Sequence, residues 1–152
     1  MKNVPATSAG TPAAAASAGA GSFTPVLLPG GSRGGIGFDD LTFANRLHRV
    51  LAPAGRTGKL DLVDPSTREI APVDGFAAVE EQARGHEQGT TSADEGGEWI
   101  FAIDRTTQRL DVVDPKQRKI VGAAPLGGSP DYVRWVEATR EVWVTEPDSE
   151  KI

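Results

Sequence analysis

Leu60-Asp-Leu-Val-Asp-Pro-Ser-Thr-Arg-Glu-Ile70 and Leu110-Asp-Val-Val-Asp-Pro-Lys-Gln-Arg-Lys-Ile120 are two copies of one segment. Seven of the eleven positions are identical, at a spacing of 50 residues. Unrelated segments of this length do not agree so well, so the copies share an origin or a structural demand. The spacing extends upstream. Val50-Leu-Ala52 matches Ile100-Phe-Ala102, and both lead through a polar turn into the Leu-Asp strand. A weaker third copy follows at a spacing of 42 residues: Val142-Trp-Val144 matches Ile100-Phe-Ala102, and Glu150-Lys-Ile152 matches Gln108-Arg-Leu110.

Around these copies, short apolar runs alternate with polar turns. They predict strands over 36–43, 47–53, 59–63, 69–73, 90–94, 98–104, 109–113, 119–124, 131–137 and 141–146. No stretch holds a sustained helical period; 77–84 comes nearest, as two turns of helix or a polar loop. The turns have a mechanism. Asp64-Pro65 and Asp114-Pro115 each follow a strand. The Asp carboxylate bonds backbone N–H groups two residues on, and the Pro presets φ for the next turn position. Within 99–103, Trp99, Phe101 and Ile103 point one way and Ile100 and Ala102 the other. Both faces are apolar, which predicts burial on both sides, as face-to-face stacking of sheets requires.

Four short strands per unit and a period of 42–50 residues are the signature of β-propeller blades. Val142-Trp-Val-Thr145, preceded by Gly128-Ser-Pro-Asp-Tyr-Val133, resembles the YVTN-type repeat, and 36–152 is most similar to YncE-like propellers. The resemblance implies an all-β fold of antiparallel four-stranded blades, seven to the ring, and export from the cytoplasm. It says little about activity. Blades are expected over 36–76 and 86–126, with an incomplete third over 128–152. Rings need at least four blades, so the sequence reads as an N-terminal fragment of a propeller. An unclosed arc bares sheet faces and strand edges, and association of the isolated chain is the expected consequence.

Residues 1–35 are almost wholly Ala, Gly, Ser, Thr and Pro, a composition that cannot offset its ordering entropy, and are expected to form a disordered leader. Met1-Lys2 and the run Ala13–Ala16 hint at a signal peptide, but Pro5 and Pro12 interrupt it and no Leu-rich segment follows. A periplasmic or extracellular location therefore rests on the resemblance and the leader. No run of about 18 apolar residues is present, so no transmembrane helix is expected.

The net charge of −5 and the lack of any dense Lys/Arg cluster argue against nucleic acid or anionic membrane as a partner. The absence of cysteine excludes disulfides, thiolate catalysis and Cys-ligated metals. Gly30-Gly-Ser-Arg-Gly34 matches the hydrolase Gly-x-Ser-x-Gly pattern. It lacks the strand before and helix after that would strain the serine into an exposed turn, and reads as linker. His86-Glu87 is the one tight His–carboxylate pair and is the candidate ligand-binding pair, at the start of the second unit near the central channel. One His and one Glu are too few for a metal site. His48, within a predicted strand, reads as structural. Asp61 and Asp111 recur at equivalent positions, and so do Asp64 and Asp114; a residue needed once per blade builds the blade. Trp99, Trp135 and Trp143 read as core.

No catalytic residue, metal or cofactor emerges. The sequence reads as a non-catalytic binding or scaffold propeller, with a protein or small-molecule ligand over the central channel. The alternative is part of a propeller enzyme resembling lactonases or quinoprotein dehydrogenases, whose site residues converge from several blades.

Overall fold

The computed structural model describes residues 23–31, 35–79 and 88–152. It is all-β, with two four-stranded antiparallel sheets and a two-stranded one. Blade 1 holds β1 (Thr42–Ala44), β2 (Arg49–Pro53), β3 (Thr57–Val63) and β4 (Ile70–Ala78), in that order across the sheet. Blade 2 holds β5 (Thr90–Gly96), β6 (Trp99–Asp104), β7 (Arg109–Asp114) and β8 (Lys119–Pro125). The third unit begins with the hairpin β9 (Val133–Val136) and β10 (Glu141–Val144). The four-stranded sheets are antiparallel blades of a β-propeller, as the repeat predicted.

Strand pairing reproduces the sequence offsets residue by residue. Val50 faces Val63 and Ala52 faces Asp61 in blade 1; Ile100 faces Val113 and Ala102 faces Asp111 in blade 2. Each pair is displaced by the same 50 residues. The spacing of 42 is also structural: Asp104 pairs with Arg109, and Glu146 pairs with Lys151 across an isolated bridge.

Facing residues of neighbouring antiparallel strands lie on one face. Blade 1 turns Leu51, Leu60, Leu62 and Val73 towards blade 2, which answers with Ala93, Ile100, Ala102 and Val113. All eight are buried, and they form the core. The opposite face of blade 1 carries Val50, Ala52, Asp61 and Val63. Residues of 23–31 and 35–41 lie over it, and Val26, Leu28, Phe38 and Leu41 help line a cavity of about 390 Å³ there. Residues 23–31 fall inside the stretch expected to be a leader.

The predicted strand over 36–43 is shorter in the structure and spans only Thr42–Ala44. Gly35 and Gly37 both have φ of 77°, which breaks an extended run before it starts. His48 also departs from expectation. It ends the β1–β2 turn with φ 50° and is exposed. Gln108, Arg118 and Arg140 end other hairpin turns in the same left-handed conformation, so this is the fold's recurrent way of closing a tight turn.

A second device repeats between blades. Asp104 Oδ2 accepts a hydrogen bond of 2.7 Å from the N–H of Ala77, at the end of the preceding blade's outer strand. Its Oδ1 accepts from the N–H of Thr107 at 3.1 Å. One blade later, Glu146 Oε1 accepts from the N–H of Gly127 at 2.9 Å. Ala77 and Gly127 are again 50 residues apart. Each carboxylate thus clasps its blade to the one before. Asp104 is fully buried, so Asp104→Ala strands two backbone donors. It is expected to cost about 1–2 kcal/mol, read as a lower urea midpoint at unchanged m-value. An unmoved midpoint would mean the clasp contributes nothing.

Candidate functional site: the inner edge of the blades

The first strand of each blade lies at the inner edge of the fan, where three blades come nearest one another. Short side-chain bonds join these strands. Thr42 Oγ1 donates to Ala93 O at 2.7 Å, and the N–H of Trp135 donates to Asp94 Oδ2 at 2.8 Å. The N–H of Val133 donates to Ser92 Oγ at 3.2 Å.

Asp40, Ser92 and Arg134 meet on this edge, one from each blade. Ser92 Oγ donates to Asp40 Oδ2 at 2.6 Å. Arg134 Nη1 reaches the same oxygen at 2.8 Å and Ser92 Oγ at 3.2 Å, and Nη2 reaches Asp40 Oδ1 at 3.3 Å. Asp40 and Arg134 are 94 residues apart in sequence. The pair is asymmetric in exposure: 46% of the Arg134 side chain is accessible against 11% of Asp40. The guanidinium also lies 5.6 Å from the centre of the exposed Tyr132 ring.

The electrostatics follow from the crowding of acids here. Asp39, then Asp131, push the Tyr132 phenol above its ordinary range. The hydrogen bond to Asp40 raises Arg134 further. Arg105 Nη1 bonds Asp131 at 3.0 Å and so holds the loop before β9. What remains open is a fixed guanidinium beside a phenol with an acidic rim. This arrangement can orient a polar ligand. Ser92 is an unsuitable nucleophile, because it is buried and Arg134 occupies both oxygens of its carboxylate partner.

The residues singled out by sequence are distributed differently. His86 and Glu87 lie outside the described residues, as does part of the Gly30–Gly34 motif. Asp64 Oδ1 accepts from the N–H of Ser66 at 2.8 Å and of Thr67 at 3.0 Å. Asp114 Oδ1 does the same with Lys116 at 2.8 Å and Gln117 at 3.0 Å. These donors hold both carboxyls below their ordinary range. Pro65 and Pro115 follow in the same two turns. None of the four is near Asp40 in the bonding pattern. Trp135 packs between blades, its ring parallel to Phe101 with centroids 5.5 Å apart. Trp99 and Trp143 were expected in the core, yet both are exposed. Trp99 opens β6 at the end of its sheet, and the face of β10 that carries Trp143 has no further layer among the described residues.

Among the described residues, no group of three or more His, Asp or Glu is placed to hold a metal. No helix there is long and apolar enough to cross a membrane.

No family model and no curated protein sequence matches the chain. Among solved structures it is similar to hydrazine synthase of Kuenenia stuttgartiensis, with a TM-score of 0.60 and 11% identity. The match covers 78% of this chain and 31% of that one. At this identity the likeness is one of fold, and the fold is the stacked antiparallel blade of a β-propeller.

Proposed function

We propose that the chain is a non-catalytic binding module of YVTN/YncE-like propeller type, exported to the periplasm or cell surface. Its ligand, a protein segment or a small polar molecule, lies along the inner edge at Arg134 and Tyr132. The single observation that carries this reading is the Asp40–Ser92–Arg134 clamp. Three blades spend a buried serine and a nearly buried carboxylate on fixing one half-exposed guanidinium. Preorganised donors of this kind lower the ordering cost of binding. The family assignment is supported by 128–133 and 142–145, and export by the composition of the leader.

The test is a screen of short peptides and polar metabolites against the full chain, followed by Arg134→Ala and Tyr132→Ala. Compounds that bind the native chain are expected to lose at least about tenfold in affinity in both variants, or 1.4 kcal/mol. Binding indifferent to both variants would place the ligand elsewhere. Lactone hydrolysis, or quinone-dependent alcohol oxidation, abolished by Arg134→Ala would overturn the non-catalytic reading in favour of an enzyme.

A further inference from the structure

At the other end of β5 the structure has a second concavity, unrelated in chemistry to the Arg134 clamp. Arg46, Glu98, Trp99, Trp135, Glu137 and Arg140 line a cleft of about 500 Å³ between the hairpin turns of the three blades. From this geometry we infer a binding site for a neutral oligosaccharide, with Trp99 as its stacking surface.

Three observations lead there. The first is charge. Two arginines face two glutamates, so the lining is formally neutral and favours neither an anion nor a cation. The second is hydrogen-bonding type. Glu137 is held by Trp135 Nε1 at 2.6 Å, and Arg46 by the carbonyl of Gly97. The side chains of Glu98 and Arg140 enter no hydrogen bond or ion pair among the described residues. Arginine only donates and a carboxylate only accepts. A hydroxyl does both, so a chain of hydroxyls satisfies the two together. The third is the aromatic surface. Trp135 is fixed from below, parallel to Phe101 and pressed on Gly96, where a Cβ would collide with its ring. Trp99 beside it is 40% exposed. An indole offers a large, rigid apolar face with a polar tip, the complement of a sugar ring with C–H groups on one face and hydroxyls at its rim. A few placed polar groups beside an aromatic wall are the general make-up of a small-ligand site.

The experiment is a tryptophan-fluorescence titration of the full chain with cellotetraose, chitotetraose and maltotetraose. At least one is expected to saturate with a Kd below about 1 mM. Trp99→Ala should weaken that sugar at least about tenfold, and Glu98→Gln, an exposed isosteric change, should weaken it about threefold or more. Trp143→Ala, at an exposed position outside the cleft, should leave it unchanged. Urea midpoints of the variants separate lost binding from lost fold. No saturable signal with any of the three sugars overturns the inference, and so does equal affinity of a folded Trp99→Ala or Glu98→Gln chain. Arg134→Ala is expected to leave sugar binding intact.

Discussion

Asp61→Asn is expected to stabilise the chain at pH 7 by as much as about 3 kcal/mol and to lessen the fall of its stability between about pH 4 and pH 6. The reason is a broken symmetry between blades. Asp61 and Asp111 are repeat equivalents, and both are fully buried. Asp111 has a partner, since Arg109 Nε lies 2.7 Å from its Oδ1. In blade 1, Lys59 takes the place of Arg109 but turns outward to Asp74, 3.0 Å away. Blade 2 has Ala124 at the position equivalent to Asp74, so no rival draws Arg109 aside. Both oxygens of Asp61 are left without a hydrogen bond. Burial pushes its carboxyl up to about 6, with Lys59 opposing and Asp74 adding to the rise.

The sign follows from which state holds the proton more tightly. The folded chain keeps Asp61 protonated to about pH 6, while the unfolded chain ionises near 3.8. Stability therefore falls as pH rises from about 4 to about 6 and stays lower above that. Asparagine is neutral throughout and removes the share of the loss due to Asp61; a share remains at Asp111, whose carboxyl burial also raises, with Arg109 opposing. Asp64 and Asp114 act in the opposite sense and in a separate window. Their carboxyls are lowered, so their contribution is present above pH 4 and lost only below it. Urea midpoints at pH 4, 5, 6 and 7 for both chains check the prediction. A native profile flat over that range would show that Asp61 is not buried as an unpaired acid.

Gly89→Ala is expected to cost about 2–5 kcal/mol, from left-handed strain plus overpacking. Gly89 has φ 72°, and a Cβ there would overlap the carbonyl of Gly55. Gly55 in turn forms a bridge with Thr90, where blades 1 and 2 meet. No flexible side chain can give way, because the neighbours are backbone. Gly97→Ala is the control. It has φ 59° but open space around its Cβ position, so it should cost only about 1–2 kcal/mol of backbone strain. Thermal unfolding of the two variants side by side checks this. Equal losses would mean that the blades do not approach through Gly55 and Gly89.

The fold was legible because its signals are local and repeated. Period-two apolar runs, Asp-Pro turns and the shared Leu-Asp-x-Val-Asp-Pro segment located ten strands and aligned one blade on the next. What the sequence hid follows the same logic. Asp40, Ser92 and Arg134 occupy no repeated motif and meet only because inner strands converge. The available signal was positional: once blades are assigned, residues opening each inner strand share the axis. Trp99 and Trp143 differ from the expected core because a strand aromatic is buried only where a further layer covers it: Trp99 sits at the end of its sheet, and no further layer covers the Trp143 face among the described residues. Asp61 looked identical to Asp111 because its difference lies in Lys59 and Asp74, outside the pattern that matched.

The fold rests on blades stacked face to face at their inner strands, and the contact of Trp135 with Gly96 reports on that stacking directly. Nuclear Overhauser effects between the Gly96 Hα protons and the Trp135 ring should be strong. One Hα should be shifted upfield by the ring current and return towards its random-coil position in Trp135→Leu. Random-coil Gly96 shifts with no contact to the indole would contradict the stacked arrangement.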